Sequence, residues 1–192
     1  TVVELPNGSS LTLEPLVRHG GRLGVEGFDP CAVLLNNDLS AGTPALLQDL
    51  HDQWVIPPVH AGWHTRRKSN HAAAYDRVTR DFCAAIGIDP WRINPAFDTC
   101  SGLDFHARTG EQELADKVAT MLDGIRAKYK EYGVSDEPFV VVKADAGTYG
   151  MGVMTVKDAA EVTGLNRKQR NKMSVIKEGL EVSQVIIQEG VH

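Results

Sequence analysis

Cysteine is scarce in this chain. Cys31, Cys83 and Cys100 are the only ones in 192 residues, and no pair of them has metal-ligand spacing. An odd, scattered set excludes a disulfide framework and fits reduced thiols in a cytosolic protein. Excess basic charge is also missing. The formal net charge is -5, which argues against a general nucleic-acid binder, because such a protein must neutralise phosphates. No apolar run approaches the length of a membrane span, and no signal peptide opens the chain. The P-loop pattern G-x-x-x-x-G-K-S/T and the dinucleotide pattern G-x-G-x-x-G are both absent, which removes the two commonest phosphate fingerprints.

What is present is an ordinary globular composition, 42% hydrophobic and 23% charged, long enough for one large or two small domains with a real core. The chain begins at Thr1 inside an expected β-hairpin turned by Pro6-Asn7-Gly8. It stops at His192, just after the apolar run Val185–Ile187. A buried strand at a terminus is the expectation for an excerpt of a longer protein.

Gly20, Gly21, Gly24 and Gly27 mark a loop, and Cys31–Leu35 reads as a short strand buried on both faces. That strand empties into Asn36-Asn37-Asp38-Leu39-Ser40, a polar loop where open α/β sheets tend to bind ligands. Asn37, Asp38 and Ser40 are candidates for an amino-acid substrate, weighed equally against a capped turn. A helix is expected over about 44–51. Pro57-Pro58 is the candidate boundary, giving domains of 1–58 and 59–192.

The second part opens with a helix over about 66–86. Ala72, Tyr75, Val78, Phe82 and Ile86 recur every three or four residues, which predicts a buried stripe ending at Gly87. A loop containing Cys100, Gly102 and Gly110 leads to a second helix. Thr109 and Gln112 have capping-box spacing there, and Leu114, Val118, Leu122, Ile125, Tyr129 and Tyr132 line one face as far as Gly133. Strands follow at Phe139–Lys143 and Val153–Val156, then two helical pieces separated by Gly164, then a strand at Ser183–Gln188.

The segment FVVVKADAGTYGMGVMTV, Phe139–Val156, carries the chemistry. Lys143 ends a β-branched strand and is held on a rigid support. Gly147, Gly150 and Gly152 let a loop turn its amides towards an anion. Asp145 and Thr148 lie in the same segment, and Tyr149 with Met151 could cover a nucleotide. A hairpin with a merely wide turn is the plainer alternative; the lysine beside three glycines and an acid favours phosphate. In nucleotide sites a hinge such as Gln188-Glu189-Gly190 offers main-chain groups to adenine and a carboxylate to ribose hydroxyls. Alone it reads as an ordinary strand end. Upstream, Arg66-Arg67-Lys68 opens a helix. Cations there oppose the macrodipole, so an anion held at that end would explain them. Arg66 and Arg67 could instead clamp a substrate carboxylate.

Other residues have plainer readings. His60, His64 and His71 lack a Cys or carboxylate at ligand spacing, so ordinary histidines are expected and no metal site is assigned. Arg167, Lys168, Arg170 and Lys172 fit a solvated helix face, with a triphosphate contact as second choice.

The order of these elements resembles the ATP-grasp fold: a lysine opening a helix that ends near a proline, a lysine before a glycine loop, then a hinge strand. The strings LLNNDLSAG, HAGWHTRRKSNHAAAYD, GIDPW, IRAKYKEYG, VVKADAGTYGMGVMTVKDA and LNRKQRNKMSVIKEGLEVSQVIIQEGV are similar to the proteobacterial-type glutamate–cysteine ligase family, over nearly the whole chain. The resemblance implies an α/β fold, with part of a pre-ATP-grasp domain followed by the N-terminal ATP-grasp lobe. It implies a cytoplasmic ligase that joins the γ-carboxyl of L-glutamate to L-cysteine through an acyl phosphate, using ATP and Mg²⁺. By the same resemblance Lys68 and Lys143 would be catalytic and contact the phosphates. Asp145, Gly147, Thr148, Tyr149, Gly150 and Gly152 would form the lid, and Gln188, Glu189, Gly190 and Val191 would hold adenosine.

Members of the family are longer, and the Mg²⁺ ligands are expected outside this chain. The chain alone is therefore expected to bind ATP weakly and not to turn over. The partners are small molecules, with no nucleic acid or membrane, and a homo-oligomer is left open. The competing readings are another carboxylate–amine ligase, a kinase-like phosphotransferase and a non-catalytic nucleotide-binding module. The kinase signature H-R-D-x-x-x-x-N is absent, which counts against the phosphotransferase.

Overall fold

Pro6-Asn7-Gly8 turns the chain as its residue types dictate. Gly8 has φ 81°, and Asn7 Oδ1 accepts from the Ser9 N–H at 3.0 Å. The computed structural model describes residues 1–37, 39, 42–62, 65–147, 152–174 and 181–191. It divides into two units, Thr1–Thr65 and Arg66–His192. Pro57 and Pro58 therefore lie within the first unit.

In the first unit, β1 (Val2–Glu4) and β2 (Ser10–Thr12) form the expected antiparallel hairpin. β3 (Val17–His19) and β4 (Arg22–Gly24) make a second hairpin inside the glycine-marked stretch, turned at Gly20 with φ 61°. β5 (Ala32–Leu34) pairs in parallel with β6 (Trp54–Ile56). The apolar run at 31–35 is thus a strand, but not one buried on both faces. Cys31 is exposed and Leu34 is 78% exposed, and among the described residues β5 pairs only with β6, in a two-stranded sheet. The helix expected near 44–51 is a single 3-10 turn, Ala45–Leu47. Leu23, Leu39 and Leu47 form a small core. The buried Gln53 amide completes it by pairing with both backbone groups of Leu23, each at 2.8 Å, as a strand neighbour would.

The second unit begins with α1 (Lys68–Ile86), which Gly87 closes at φ 70°. The expected apolar stripe is not the packed face. Ala72, Thr79 and Cys83 are buried, whereas Tyr75, Val78, Phe82 and Ile86 are 45–63% exposed. Small side chains let α1 approach β7 (Phe97–Ser101) closely, and the large residues point elsewhere. Apolar periodicity marks a face that can be buried, not one that must be.

α2 (Glu111–Tyr132) buries Leu114, Val118, Met121, Leu122, Ile125 and Tyr129, while Tyr132 is 39% exposed. Each fully covered aliphatic contributes about 1.5–3 kcal/mol. Its start differs from expectation. Gly110 is the N-cap at φ 76°, with no side-chain cap. Thr109 instead exchanges backbone hydrogen bonds with Asp104, at 3.0 and 3.1 Å, which withdraws it from capping.

β8 (Val140–Ala144), β9 (Val153–Val156), α3 (Ala160–Thr163), α4 (Arg167–Ser174) and β10 (Gln184–Glu189) follow. The main sheet is four-stranded, with order β7-β10-β8-β9. All its pairings are antiparallel, with Ile186 opposite both Thr99 and Lys143. Side chains alternate between faces along each strand. Val140, Val142, Ala144, Val185 and Ile187 join α2 in the main core. Lys143 and Gln188 consequently lie on the opposite face.

Candidate functional site

β8 sets Lys143 one residue before the strand ends, and β10 runs antiparallel beside it with Gln188 on the same face. Lys143 Nζ donates to Gln188 Oε1 at 2.9 Å. The β-branched residues that precede Lys143, Val140–Val142, stiffen its support. Beyond Ala144, whose N–H donates to the Gly152 carbonyl at 2.7 Å, the glycine-rich segment leaves the sheet. Gly147 and Gly152 have φ of 85° and 61°, the left-handed conformation that favours glycine. Thr148, Tyr149, Gly150 and Met151 lie outside the described residues.

Lys68 comes from the first turn of α1 and reaches the same place. Its Nζ donates to the carbonyls of Ala144 at 2.6 Å, Ala146 at 3.3 Å and Gly147 at 3.0 Å. Burial pushes its pKa below the ordinary lysine value, Asp145 opposes that shift, and the charges of Lys143 and Arg67 add to it. The two lysines therefore stand within electrostatic reach of each other.

The anion suggested by three cations at the start of α1 is internal. Asp145 is 2% exposed and accepts from the Ser69 N–H at 2.7 Å and the Ser69 hydroxyl at 2.8 Å. It caps α1 from 76 positions away, satisfying donors that a local N-cap would otherwise take. Nothing local in the sequence signals this contact.

The hinge separates into two faces. Gln188 meets Lys143, but the Glu189 carboxylate lies on the α2 side. There it accepts from Trp91 Nε1 at 3.0 and 3.1 Å and from the Ala96 N–H at 2.9 Å. The carboxylate expected to bind ribose hydroxyls is thus engaged with Trp91 and Ala96, on the sheet face opposite Lys143. The main-chain N–H groups of Glu189 and Gly190 donate to the Ala96 and Phe139 carbonyls, each at 2.8 Å. Val191 is 73% exposed. A cavity of about 370 Å³ adjoins the hinge, lined by Trp91, Asn94, Tyr129, Glu189, Gly190 and Val191 among others.

Trp91 was not foreseen as a site neighbour. It stacks on Tyr132 at 5.0 Å and meets Tyr129 edge-on at 6.0 Å. Asp89 accepts from Lys128 Nζ at 2.5 Å, Tyr132 OH at 2.8 Å and the Trp91 N–H at 2.9 Å. These bonds pull its pKa down to about 2. The GIDPW string thereby ties the end of α1 to α2 and to the hinge.

Asn37, in the first unit, accepts from the Leu39 N–H at 2.7 Å, the capped turn weighed above. Asp38 and Ser40 lie outside the described residues, as does His64. Arg66 and Arg67, in the second unit, are exposed. Arg167 and Lys168 are exposed on α4 as a solvated face would be. No group of three or more His, Cys, Asp or Glu residues able to hold a metal occurs among the described residues. No described helix is long and apolar enough to cross a membrane.

The second unit is thus a mixed α/β domain in which an antiparallel sheet presents a lysine and an amide at the root of a glycine-rich segment. Residues 1–192 match the family described as GshA, glutamate-cysteine ligase. The chain belongs to the glutamate–cysteine ligase family. It is 64% identical, with TM-score 0.84, to a crystal structure from Methylobacillus flagellatus KT whose provisional name is gamma-glutamylcysteine synthetase. The match covers 100% of this chain and 45% of that one, so this chain spans less than half the length of that relative. No curated protein matches the sequence.

Proposed function

We propose that this chain is the nucleotide-handling part of an ATP-dependent glutamate–cysteine ligase. The sheet with α2 forms an ATP-grasp-like N-terminal lobe, preceded by part of an α/β substrate domain. In the reaction, ATP phosphorylates the γ-carboxyl of L-glutamate. ADP leaves in that step, and the amine of L-cysteine then displaces phosphate from the acyl phosphate, giving γ-glutamylcysteine. The observation that carries this reading is the Lys143–Gln188 pair beside a glycine-rich segment, within a chain that matches the ligase family end to end.

Such a site works by positioning and electrostatics more than by a nucleophile. Lys143 supplies positive charge to the phosphates from a fixed strand, and Gln188 holds its ammonium in place. Amides of the segment containing Gly147, Thr148, Tyr149, Gly150 and Gly152 surround the phosphates. At the hinge, Gly190 and Val191 offer main chain to adenine. Glu189 supports the hinge through Trp91. Arg66 and Arg67 are assigned to a substrate carboxylate, and Asn37, Asp38 and Ser40 to an amino-acid substrate. Mg²⁺ would neutralise the triphosphate in this chemistry. The described residues do not form a donor set for it.

Full-length protein incubated with ATP should release phosphate steadily only when glutamate and cysteine are both present, with γ-glutamylcysteine as product. Steady release without cysteine, or a different product, overturns the reading. Lys143→Ala should weaken ATP binding measured by calorimetry.

A further inference from the structure

We propose that Lys68 and Asp145 form a brace that fixes the root of the glycine-rich segment to the first turn of α1, making both positioning residues and not phosphate ligands. This inference rests on the reading that ATP is bound beside Lys143.

An ammonium has three N–H donors, and Lys68 directs them to the carbonyls of Ala144, Ala146 and Gly147. None remains for a phosphate oxygen. Asp145, which lies between those carbonyls in sequence, points the other way and binds Ser69 through both carboxylate oxygens. The two side chains therefore cross: α1 grips the segment's main chain with a lysine, and the segment grips α1 with a carboxylate. Three backbone bonds complete the joint. The Lys68 N–H donates to the Asp145 carbonyl at 3.0 Å, the Asp145 N–H to the Gln184 carbonyl at 3.0 Å, and the Ala144 N–H to the Gly152 carbonyl at 2.7 Å. Helix start, segment root, β9 start and β10 start are thus locked together.

The arrangement also divides labour between the lysines. Lys143 lies close enough for its charge to depress the Lys68 pKa. Two free ammonium groups side by side would repel each other. Engaging the Lys68 donors with peptide oxygens keeps its charge in place and leaves Lys143 as the ammonium whose remaining N–H groups face phosphate.

The test uses the full-length protein and compares Lys68→Met, Asp145→Asn and the milder Ser69→Ala with Lys143→Ala. Hydrogen exchange is read at the amides of Lys68, Ser69, Ala144 and Asp145, and steady-state kinetics with each substrate. Losing a hydrogen bond to a charged group of this kind corresponds to about tenfold. Lys68→Met and Asp145→Asn should each speed local exchange about tenfold and raise KM for ATP by a similar factor. Ser69→Ala should do the same to a smaller extent, and KM for glutamate should not move. A general structural role would instead shift both KM values with Tm. Unchanged exchange in Asp145→Asn and Ser69→Ala overturns the brace. So does a Lys68→Met variant that loses ATP affinity as Lys143→Ala does while its exchange stays native. If Lys143→Ala leaves ATP affinity intact, the ATP-site reading itself fails, whatever the exchange data show.

Discussion

Lys143 and Gln188 lie on adjacent antiparallel strands, on the same face, and are joined Nζ to Oε1 at 2.9 Å. The pairing turns a flexible lysine into one with a preferred position. Gln188→Leu removes the acceptor while keeping much of the side chain's volume. ATP affinity of the full-length protein should fall by up to about tenfold, less than for Lys143→Ala, since a single hydrogen bond to a charge is lost. Calorimetric titration checks the order of the two variants, and an equal loss in both would contradict it.

Asp89 gives a pH dependence with a defined sign. Lys128, the Trp91 N–H and Tyr132 hold its carboxyl at about 2, against an ordinary value of 3.8. A depressed acid contributes stability that is present above its unfolded pKa and lost as pH falls through its folded one. The Tm advantage of wild type over Asp89→Asn should therefore be constant above pH 3.8 and shrink towards pH 2. Thermal melts across that interval decide it. The site is partly exposed, so the effect is modest.

Gly190 packs its α-carbon against the ring of Phe139, and a Cβ there would overlap that ring. Gly190→Ala should destabilise by about 1–3 kcal/mol, as overpacking does. Adding Phe139→Leu should recover part of the loss. Urea unfolding of both variants checks the coupling, and a single variant as stable as wild type would refute the contact.

Among the three thiols only Cys31 is exposed, while Cys83 and Cys100 are 0% and 1% exposed. Burial, chiefly, also raises the Cys100 pKa, and the thiolate is the reactive form. One thiol in this chain should react rapidly with Ellman's reagent, and two only after denaturation.

Much of the second unit was legible because its periods are strong. α2, β8, β9 and β10 follow from regular apolar spacing, with ends displaced by a residue or two, as helix and strand ends are. Sequence alone gives a loop at β7, because Phe-Asp-Thr-Cys-Ser has little strand character of its own. Its place comes from pairing with β10. The α1 stripe misled for a related reason. Spacing located an apolar face, but the sheet accepted the small residues Ala72, Thr79 and Cys83. Around the candidate site, the lysines and glycines carried their signal locally. Asp145 capping a helix 76 positions upstream carried none. The orientation of Glu189 was available in principle: adjacent residues of a strand face opposite ways, so Gln188 and Glu189 could not both face Lys143.

The three carbonyls around Lys68 also form a small oxygen cup holding a tethered ammonium ion. With the tether cut, as in Lys68→Ala, the cup would still suit a free monovalent cation of similar size. Ammonium or potassium salts should then restore ATP binding to that variant, while the bulkier tetramethylammonium should not. The choice of buffer cation would then become a chemical substitute for the missing side chain.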